Sequence, residues 1–447
     1  MSLPATSHSH ASRAPGLVIA APASGSGKTV ITLALLRAFA RAGLAVASAK
    51  VGPDYIDPAF HAAASGRESV NLDAHAMRGA LVDTLAGDQA AGCDLLLVEG
   101  VMGLFDGAAD GSGSTADLAA RLGLPVVLVV DAARQSHSVA ALVRGFRDHR
   151  DDVHIAGVIL NRVGSERHAA MLSGALAGVG MPVLGNVPRD TALALPERHL
   201  GLVQAGERDD LDAFLDSAAT RITASCDLVA LRKVAGELAV PDRASDAPSP
   251  KRLEPFGQRI AVARDVAFAF AYPHLLSGWR RAGAELSFFS PLADEAPCEE
   301  ADAVYLPGGY PELHAARLAA ATTFQQGMAS AVQRGALIYG ECGGYMALGD
   351  VLVDAEGTHH RMLGLLPLTT SFASRRRHLG YRRLDGLSGA PFAGGFSAHE
   401  WHYASILHEG AAERLFQARD ATGADLGALG LRAGTVMGSF CHLIDIA

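Results

Sequence analysis

Residues 17–30 read LVIAAPASGSGKTV, an apolar run that ends in a glycine-rich turn, and residues 29–43 continue it as TVITLALLRAFARAG. The run predicts a buried strand, and the alanine- and leucine-rich continuation predicts a helix. Ser24, Gly25, Ser26, Gly27, Lys28 and Thr29 therefore lie where a strand ends and a helix begins. Glycines at such a turn let backbone N–H groups converge on a phosphate, and the helix N-terminus adds its positive dipole end. Lys28 is then placed to reach the outer phosphates of ATP, and the Thr29 hydroxyl to hold Mg2+. The loop is a variant of the common phosphate-binding pattern. Pro22 stands where a glycine is usual, and Ala23 stands where partitioning-type switches carry an extra lysine.

The same alternation continues outward from this turn. Apolar runs recur at 45–51 (AVASAKV), 94–100 (DLLLVEG), 125–132 (PVVLVVDA), 155–163 (IAGVILNRV) and 182–188 (PVLGNVP), with helical stretches between them. Near-continuous Val/Ile/Leu strands separated by helices predict a parallel sheet covered on both faces, an α/β domain. Around 239–258 (AVPDRASDAPSPKRLEPFGQ) proline, serine and charge replace periodicity, which predicts a linker. A second α/β series then begins at 259–265 (RIAVARD) and continues through 285–291, 303–309, 336–344 and 435–442. The expected organisation is a disordered start at 1–14, a first domain at 15–240, a linker at 241–257 and a second domain at 258–447.

Acidic residues close to the expected strand ends extend the phosphate site. Glu99 ends the run LLLVEG, and Asp54 lies in KVGPDYIDP just after the second strand, beside Tyr55. Ligands of open α/β sheets gather along that carboxyl-end rim, so both acids are candidates to complete a Mg2+ site with Thr29. Asp106, in VMGLFDG, is a further metal or substrate candidate, and the Asn161 amide is a candidate to pair with adenine.

The second series carries a different chemistry. Residues 339–344 read YGECGG directly after the run ALI. Small neighbours permit a sharp strand-to-helix elbow that exposes a nucleophile, and a helix N-terminus favours the thiolate, so Cys342 is the nucleophile candidate. Gly308 and Gly309 in LPGGYPE, with Gly343, offer N–H groups for an oxyanion hole. A cysteine nucleophile needs a base. His442 follows the final apolar run at its carboxyl end, in SFCHL. The competing cluster HEWHY, with His399 and His402, has too few ligands for a strong zinc signal and is assigned a substrate-binding or structural role.

Composition excludes several classes. A net charge of −9 argues against a nucleic-acid binder. No apolar run reaches the roughly 18 residues that span a bilayer. The polar opening MSLPATSHSHASRAP lacks the apolar segment of a signal peptide. Five scattered cysteines do not form a disulfide framework, and a cytoplasmic location is expected.

With these residues in place, the chain resembles the family of cobyrinic acid and hydrogenobyrinic acid a,c-diamide synthases of corrin biosynthesis. The resemblance rests on SGSGKT, KVGPDYIDP, VEGVMGLFDG, LPGGYPE, YGECGGY, HEWHY and the terminal histidine, and covers nearly the whole chain after residue 14. It implies an α/β fold of two domains, a P-loop NTPase-type parallel sheet followed by a class I glutamine amidotransferase-like, flavodoxin-like domain. It also implies that Cys342 and His442 release ammonia from L-glutamine while ATP phosphorylates a corrin carboxylate. Asp54, Tyr55, Glu99 and Asp106 match family positions linked to metal and substrate handling. One departure bears on the thiol site. Many class I amidotransferases place a glutamate two residues after the histidine, where this chain has Ile444 with Asp445 next. The catalytic set is then a dyad or takes a third member from elsewhere. Whether the macrocycle carries cobalt, or is another tetrapyrrole, stays open, as does the alternative of a P-loop ligase or switch whose second domain is non-catalytic; assembly is open too, a homodimer being one option.

Overall fold

A computed structural model describes residues 13–190, 193, 197–198, 201–240, 249–392 and 394–447. Most of the expected start and the first half of the expected linker lie outside these residues. The first sheet is built from β1 (Gly16–Ala20), β2 (Val46–Val51), β3 (Val70–Leu72), β4 (Leu95–Glu99), β5 (Val126–Asp131), β6 (Ile155–Val163) and β7 (Val183–Pro188). Their order is β3-β2-β4-β1-β5-β6-β7, and every pairing is parallel. Burial explains the continuous apolar runs. Every residue of β1, β2 and β4 is buried, so both faces of each strand are covered. α1 (Lys28–Arg41) packs on one face beneath the helix Leu211–Ser225. Arg37 of α1 ties the two helices together by pairing with Asp212 and Asp216. After the helices the chain returns to the first sheet, where Gly236 pairs with Gly16 beside β1.

The second sheet has ten strands, and half of it is the parallel array expected from the apolar runs. Glu285–Phe289, Arg259–Ala263, Ala303–Leu306, Leu337–Glu341 and Val436–Ser439 lie side by side in that order, all parallel. The sheet then continues antiparallel through Asp425–Ala433, Glu413–Asp420, His378–Gly386, Gly395–His402 and Cys441–Ile446. Only Phe440 separates Val436–Ser439 from Cys441–Ile446, yet these two strands lie on opposite sides of the antiparallel array. The sheet must therefore curl until its far edge returns beside its middle. One sequence expectation is corrected here. His442 does not trail the last strand; it is the second residue of a further one, and its cross-strand partner is His399.

The two sheets are fastened by buried polar contacts. Arg78 donates from Nε and Nη2 to both oxygens of Asp445, at 2.9 and 3.0 Å, while its backbone N–H donates to the same carboxylate. Tyr381 donates to Asp73 at 3.0 Å, and Tyr272 donates to the Pro53 carbonyl at 3.1 Å. Asp445 is only 1% exposed and is fully engaged by Arg78, so it cannot orient His442.

Candidate active sites

The expected phosphate loop forms at the β1–α1 junction. Gly25 and Gly27 adopt φ of 77° and 90°, conformations that side chains resist, and a Cβ on Gly27 would collide with the Asn161 amide. Asn161 donates from Nδ2 to the Ser26 carbonyl at 2.9 Å, and Ser26 donates to the Ala23 carbonyl at 2.8 Å. Asn161 thus braces the loop, while also lining a cavity of about 570 Å³ with Gly27, Asp131, Arg162 and Arg189. Ser24 lies outside that cavity and on the edge of a larger one.

Lys28 and Thr29 both point toward β4. Lys28 Nζ donates to the Met102 carbonyl at 2.6 Å, and burial, then the nearby Lys50 charge, lowers its pKa to about 8. Thr29 donates to Glu99 Oε1 at 2.6 Å. Glu99 is fully buried, yet Lys50 Nζ stands 2.9 Å from Oε1 and His61 Nε2 stands 2.6 Å from Oε2. Burial alone would raise its pKa; the Lys50 charge, His61 and Thr29 outweigh that and hold the carboxyl well below its usual range. Lys50 also pairs with Asp57 at 2.5 Å, and Asp57 is pushed upward by its burial and by Asp54. A hydroxyl and an ionised carboxylate in contact at the phosphate-loop helix start are hard oxygen donors of the kind Mg2+ prefers, so these residues fit that ion.

Lys50, Asp57 and His61 were not read from the sequence as site residues. Lys50 ends an apolar run and Asp57 sits three positions after Asp54 in KVGPDYIDP, which was the available signal. Asp54 caps the start of α2 (Asp57–Ser65), its Oδ1 accepting from Ile56 and Asp57 N–H groups at 2.8 and 2.9 Å. Asp106 steadies the neighbouring loop by accepting from Gly103 N–H at 2.8 Å.

A cavity of about 670 Å³ opens between the two sheets. Ser24, Pro53, Asp54, Val101 and Met102 line it from the first sheet's rim, and Arg377, Leu379, Arg382, His399 and Trp401 from the second. Its arginines were not anticipated, because Arg382 lies on, and Arg377 just before, an antiparallel strand that is mostly half-buried or exposed and leaves no apolar run. His399 is nearly buried and its pKa is lowered to about 3, by burial first and then by Arg382. His402 is turned elsewhere. It stacks on Phe440 at 3.8 Å, contacts Glu400 at 3.0 Å and lies 3.1 Å from the Ala404 carbonyl. With His378 these residues bring three ligand atoms within 4.8 Å of one another, but Arg382 already pairs with Glu400 at 2.7 Å, which opposes a cation there.

At the second site Cys342 occupies the expected elbow, with φ 46° and ψ −102° at the N-terminus of the helix Gly343–Leu348. That strained backbone is fixed on the strand side, where its N–H donates to the Ser439 carbonyl at 2.8 Å. Gly308 brings the thiol and the base together. A Cβ on it would stand 3.2 Å from Cys342 Cβ and 3.0 Å from His442 Nε2, and would collide with the ring's Cε1. A Cβ on Gly343 would in turn meet Gly309 N at 2.9 Å, which places all three expected oxyanion-hole glycines beside Cys342. Cys342 and His442 are 1% and 0% exposed. Burial, then Glu312, pushes the thiol's pKa far up; burial, then His399, lowers the imidazole's to about 3. The resting pair is therefore thiol and neutral imidazole.

One carboxylate stands close to His442. Glu341, immediately before the nucleophile, has Oε2 at 3.7 Å from Nδ1, just beyond hydrogen-bond reach. It accepts from Tyr305 OH at 2.7 Å and from Leu443 N–H at 3.1 Å, and burial raises its pKa to about 7. Glu341 was not singled out from the sequence, since the cysteine beside it drew the reading. The remaining expected residue, Tyr55, does not line the cavity. Its ring lies 4.3 Å from that of His442, across the domain junction.

Comparison with known proteins agrees with this geometry. Residues 17–203 match the model of the CobQ/CobB/MinD/ParA nucleotide binding domain, and 259–445 that of the CobB/CobQ-like glutamine amidotransferase domain. The chain is 63% identical to a hydrogenobyrinate a,c-diamide synthase of Sinorhizobium sp, over 97% of this chain and 99% of that one. It is 61% identical to a protein of the same name from Rhizobium meliloti (strain 1021), again over 97% and 99%. A solved glutamine amidotransferase aligns with 41% of this chain and 89% of its own at 18% identity and a TM-score of 0.29, too slight to bear on the assignment. With a phosphate loop in one domain, a buried cysteine–histidine pair in the other and near-complete alignment at this identity, the chain belongs to the hydrogenobyrinate a,c-diamide synthase family.

Proposed function

We propose that the protein amidates the a and c carboxylates of hydrogenobyrinate, using ATP and glutamine. The observation that carries this reading is the cavity between the sheets, bordered by the phosphate-loop rim at Ser24 and Asp54 and by His399 and Trp401 on the glutaminase side. Cys342 Sγ lies 3.9 Å from the carbonyl of Trp401, so released ammonia has a short way to it. Val101, Met102, Leu379 and Trp401 offer apolar surface to a macrocycle, and Arg377 and Arg382 offer charge to its carboxylates. We assign residues 15–240 and 258–447 to the two domains.

In this reading His442 takes the Cys342 proton as the thiol attacks the glutamine amide carbon, then returns it to the departing ammonia. Gly308, Gly309 and Gly343 present N–H groups to the oxygen of the tetrahedral intermediate. Water then cleaves the thioester to glutamate. Glu341 steadies the imidazolium that forms, in the role the carboxylate after the histidine plays elsewhere. At the other site the macrocycle carboxylate attacks the ATP γ-phosphorus and ADP leaves. Ammonia attacks the resulting acyl phosphate, giving the amide and phosphate. Lys28 draws charge from the transferring oxygens, and Thr29 and Glu99, with Asp54 nearby, would hold Mg2+. When bound, that ion neutralises phosphate charge. A cytoplasmic homodimer completes the proposal, testable by fractionation and sedimentation.

The experiment is Cys342→Ala, assayed with glutamine and then with ammonium chloride. Loss of glutamine-fed amidation with ammonia-fed amidation kept is the expected result. Unchanged glutamine-fed amidation would refute it.

A further inference from the structure

The segment 53–57 of the first domain touches all three chemical centres. Pro53 and Asp54 line the cavity between the sheets. Asp57 pairs with Lys50, which pairs with Glu99, which accepts from Thr29 of the phosphate loop. Between them Tyr55 turns the opposite way. Its ring lies 4.3 Å from the His442 ring at 31°, stacks on Phe270 at 5.2 Å and 15°, and sits 5.0 Å from Tyr272. Its hydroxyl is 3.4 Å from His399 Nδ1. All four of these partners belong to the second domain. The first domain thus supplies one wall of the catalytic imidazole's enclosure.

Two features make this contact more than packing. Neither ring nitrogen of His442 makes a well-formed hydrogen bond among the described residues; Glu341 Oε2, 3.7 Å from Nδ1, and the Phe270 backbone are its polar neighbours, so ring contacts carry much of its orientation. The segment is also pinned, at its start by Tyr272 OH on the Pro53 carbonyl at 3.1 Å and Asn71 Nδ2 on the Asp54 carbonyl at 2.7 Å, and at its end by Lys50 on Asp57. A ligand that rearranges Asp54, Asp57 or Glu99 is therefore connected to the ring over His442 through a few bonded residues. A contiguous packed element of this kind can carry coupling between two sites when both bias its arrangement. We propose that Tyr55 is a positioning residue of the glutaminase, contributed by the other domain, and that it makes glutamine hydrolysis answer to the state of the ATP and macrocycle site. The proposal rests on the functional reading above.

The test uses the full-length protein, Tyr55→Ala and Tyr55→Phe, with melting curves to confirm folding and Tyr55→Leu in reserve. Glutamate and amide are counted with glutamine, with and without ATP, Mg2+ and hydrogenobyrinate, and amide is counted again with ammonium chloride. The parent releases about one glutamate per amide and speeds hydrolysis when both ligands are present. Tyr55→Ala releases several glutamates per amide, and its hydrolysis no longer responds to the ligands. Its ammonia-fed rate stays within about threefold of the parent, because the ring does not line the cavity. Tyr55→Phe, which keeps the stack, stays coupled. Two results overturn the proposal: Tyr55→Ala with parental stoichiometry and ligand response, or a parallel fall of glutamine-fed and ammonia-fed rates. No amide from the parent with either nitrogen source would overturn the functional reading instead.

Discussion

Gly308→Ala tests the thiol site at its tightest point. The added Cβ would lie 3.2 Å from Cys342 Cβ, 3.0 Å from His442 Nε2 and closer still to Cε1. Carbon atoms rest at about 3.5–4.0 Å, so the imidazole must retreat by roughly 1 Å. The backbone has little freedom to yield instead, because the Gly308 carbonyl accepts from Phe270 N–H at 2.9 Å and the next residue abuts Ala267. Overpacking of this kind costs about 1–3 kcal/mol of stability, which a large two-domain protein survives. Displacing a base by about 1 Å costs on the order of 10²-fold in rate, or about 2.7 kcal/mol in the barrier. Glutamine-fed amidation should therefore fall about 10²-fold, with ammonia-fed amidation within about twofold of the parent. The assay is amide formation from each nitrogen source, with a melting curve alongside. Parental glutamine use in a folded Gly308→Ala protein would refute the claim that Gly308 sits between nucleophile and base.

Further outcomes follow from the buried charges. Glu99→Gln leaves Lys50 and His61 facing a neutral amide, so ATP-dependent amidation should drop by about 10²-fold or more, and stability by about 3 kcal/mol, in kinetics and chemical denaturation. Because burial holds Cys342 as a thiol and the His442 pKa sits near 3, iodoacetamide at pH 7.5 should label Cys342 more slowly than the exposed Cys298, as peptide masses would report. His274 is buried 2.8 Å from the Ile444 carbonyl, and burial lowers its pKa to about 4. Its contribution to stability is full above about pH 6.5 and is lost as pH falls from there toward 4, by about 1.4 kcal/mol per unit. His274→Gln should accordingly flatten the loss of stability between pH 6.5 and 4 in urea melts, and an unchanged slope would contradict the assignment.

What could be read from the residues alone follows from burial. β1, β2 and β4 are covered on both faces, so their apolar runs and the turns after them are plain in the sequence, and the phosphate loop with them. The strands His378–Gly386, Glu413–Asp420 and Asp425–Ala433 are mostly exposed or half-buried, with only a few buried positions each, so the antiparallel half of the second sheet left no comparable run. Cys342 and His442 announce themselves through glycines and a terminal strand, but their supports do not. Glu341, Lys50 and Asp57 act through partners 36 to 102 and 7 to 49 positions away, and no local pattern encodes such pairings. Tyr55 was legible as a site residue, yet its place against His442 depends on how the two domains dock.

The most direct test of the central claim is to incubate the protein with ATP, Mg2+, hydrogenobyrinate and glutamine labelled with ¹⁵N at the side-chain amide, and to weigh the macrocycle. The account predicts a product carrying two amide groups, each holding ¹⁵N, and no product without ATP. A macrocycle of unchanged mass, or amides without the label, would contradict it.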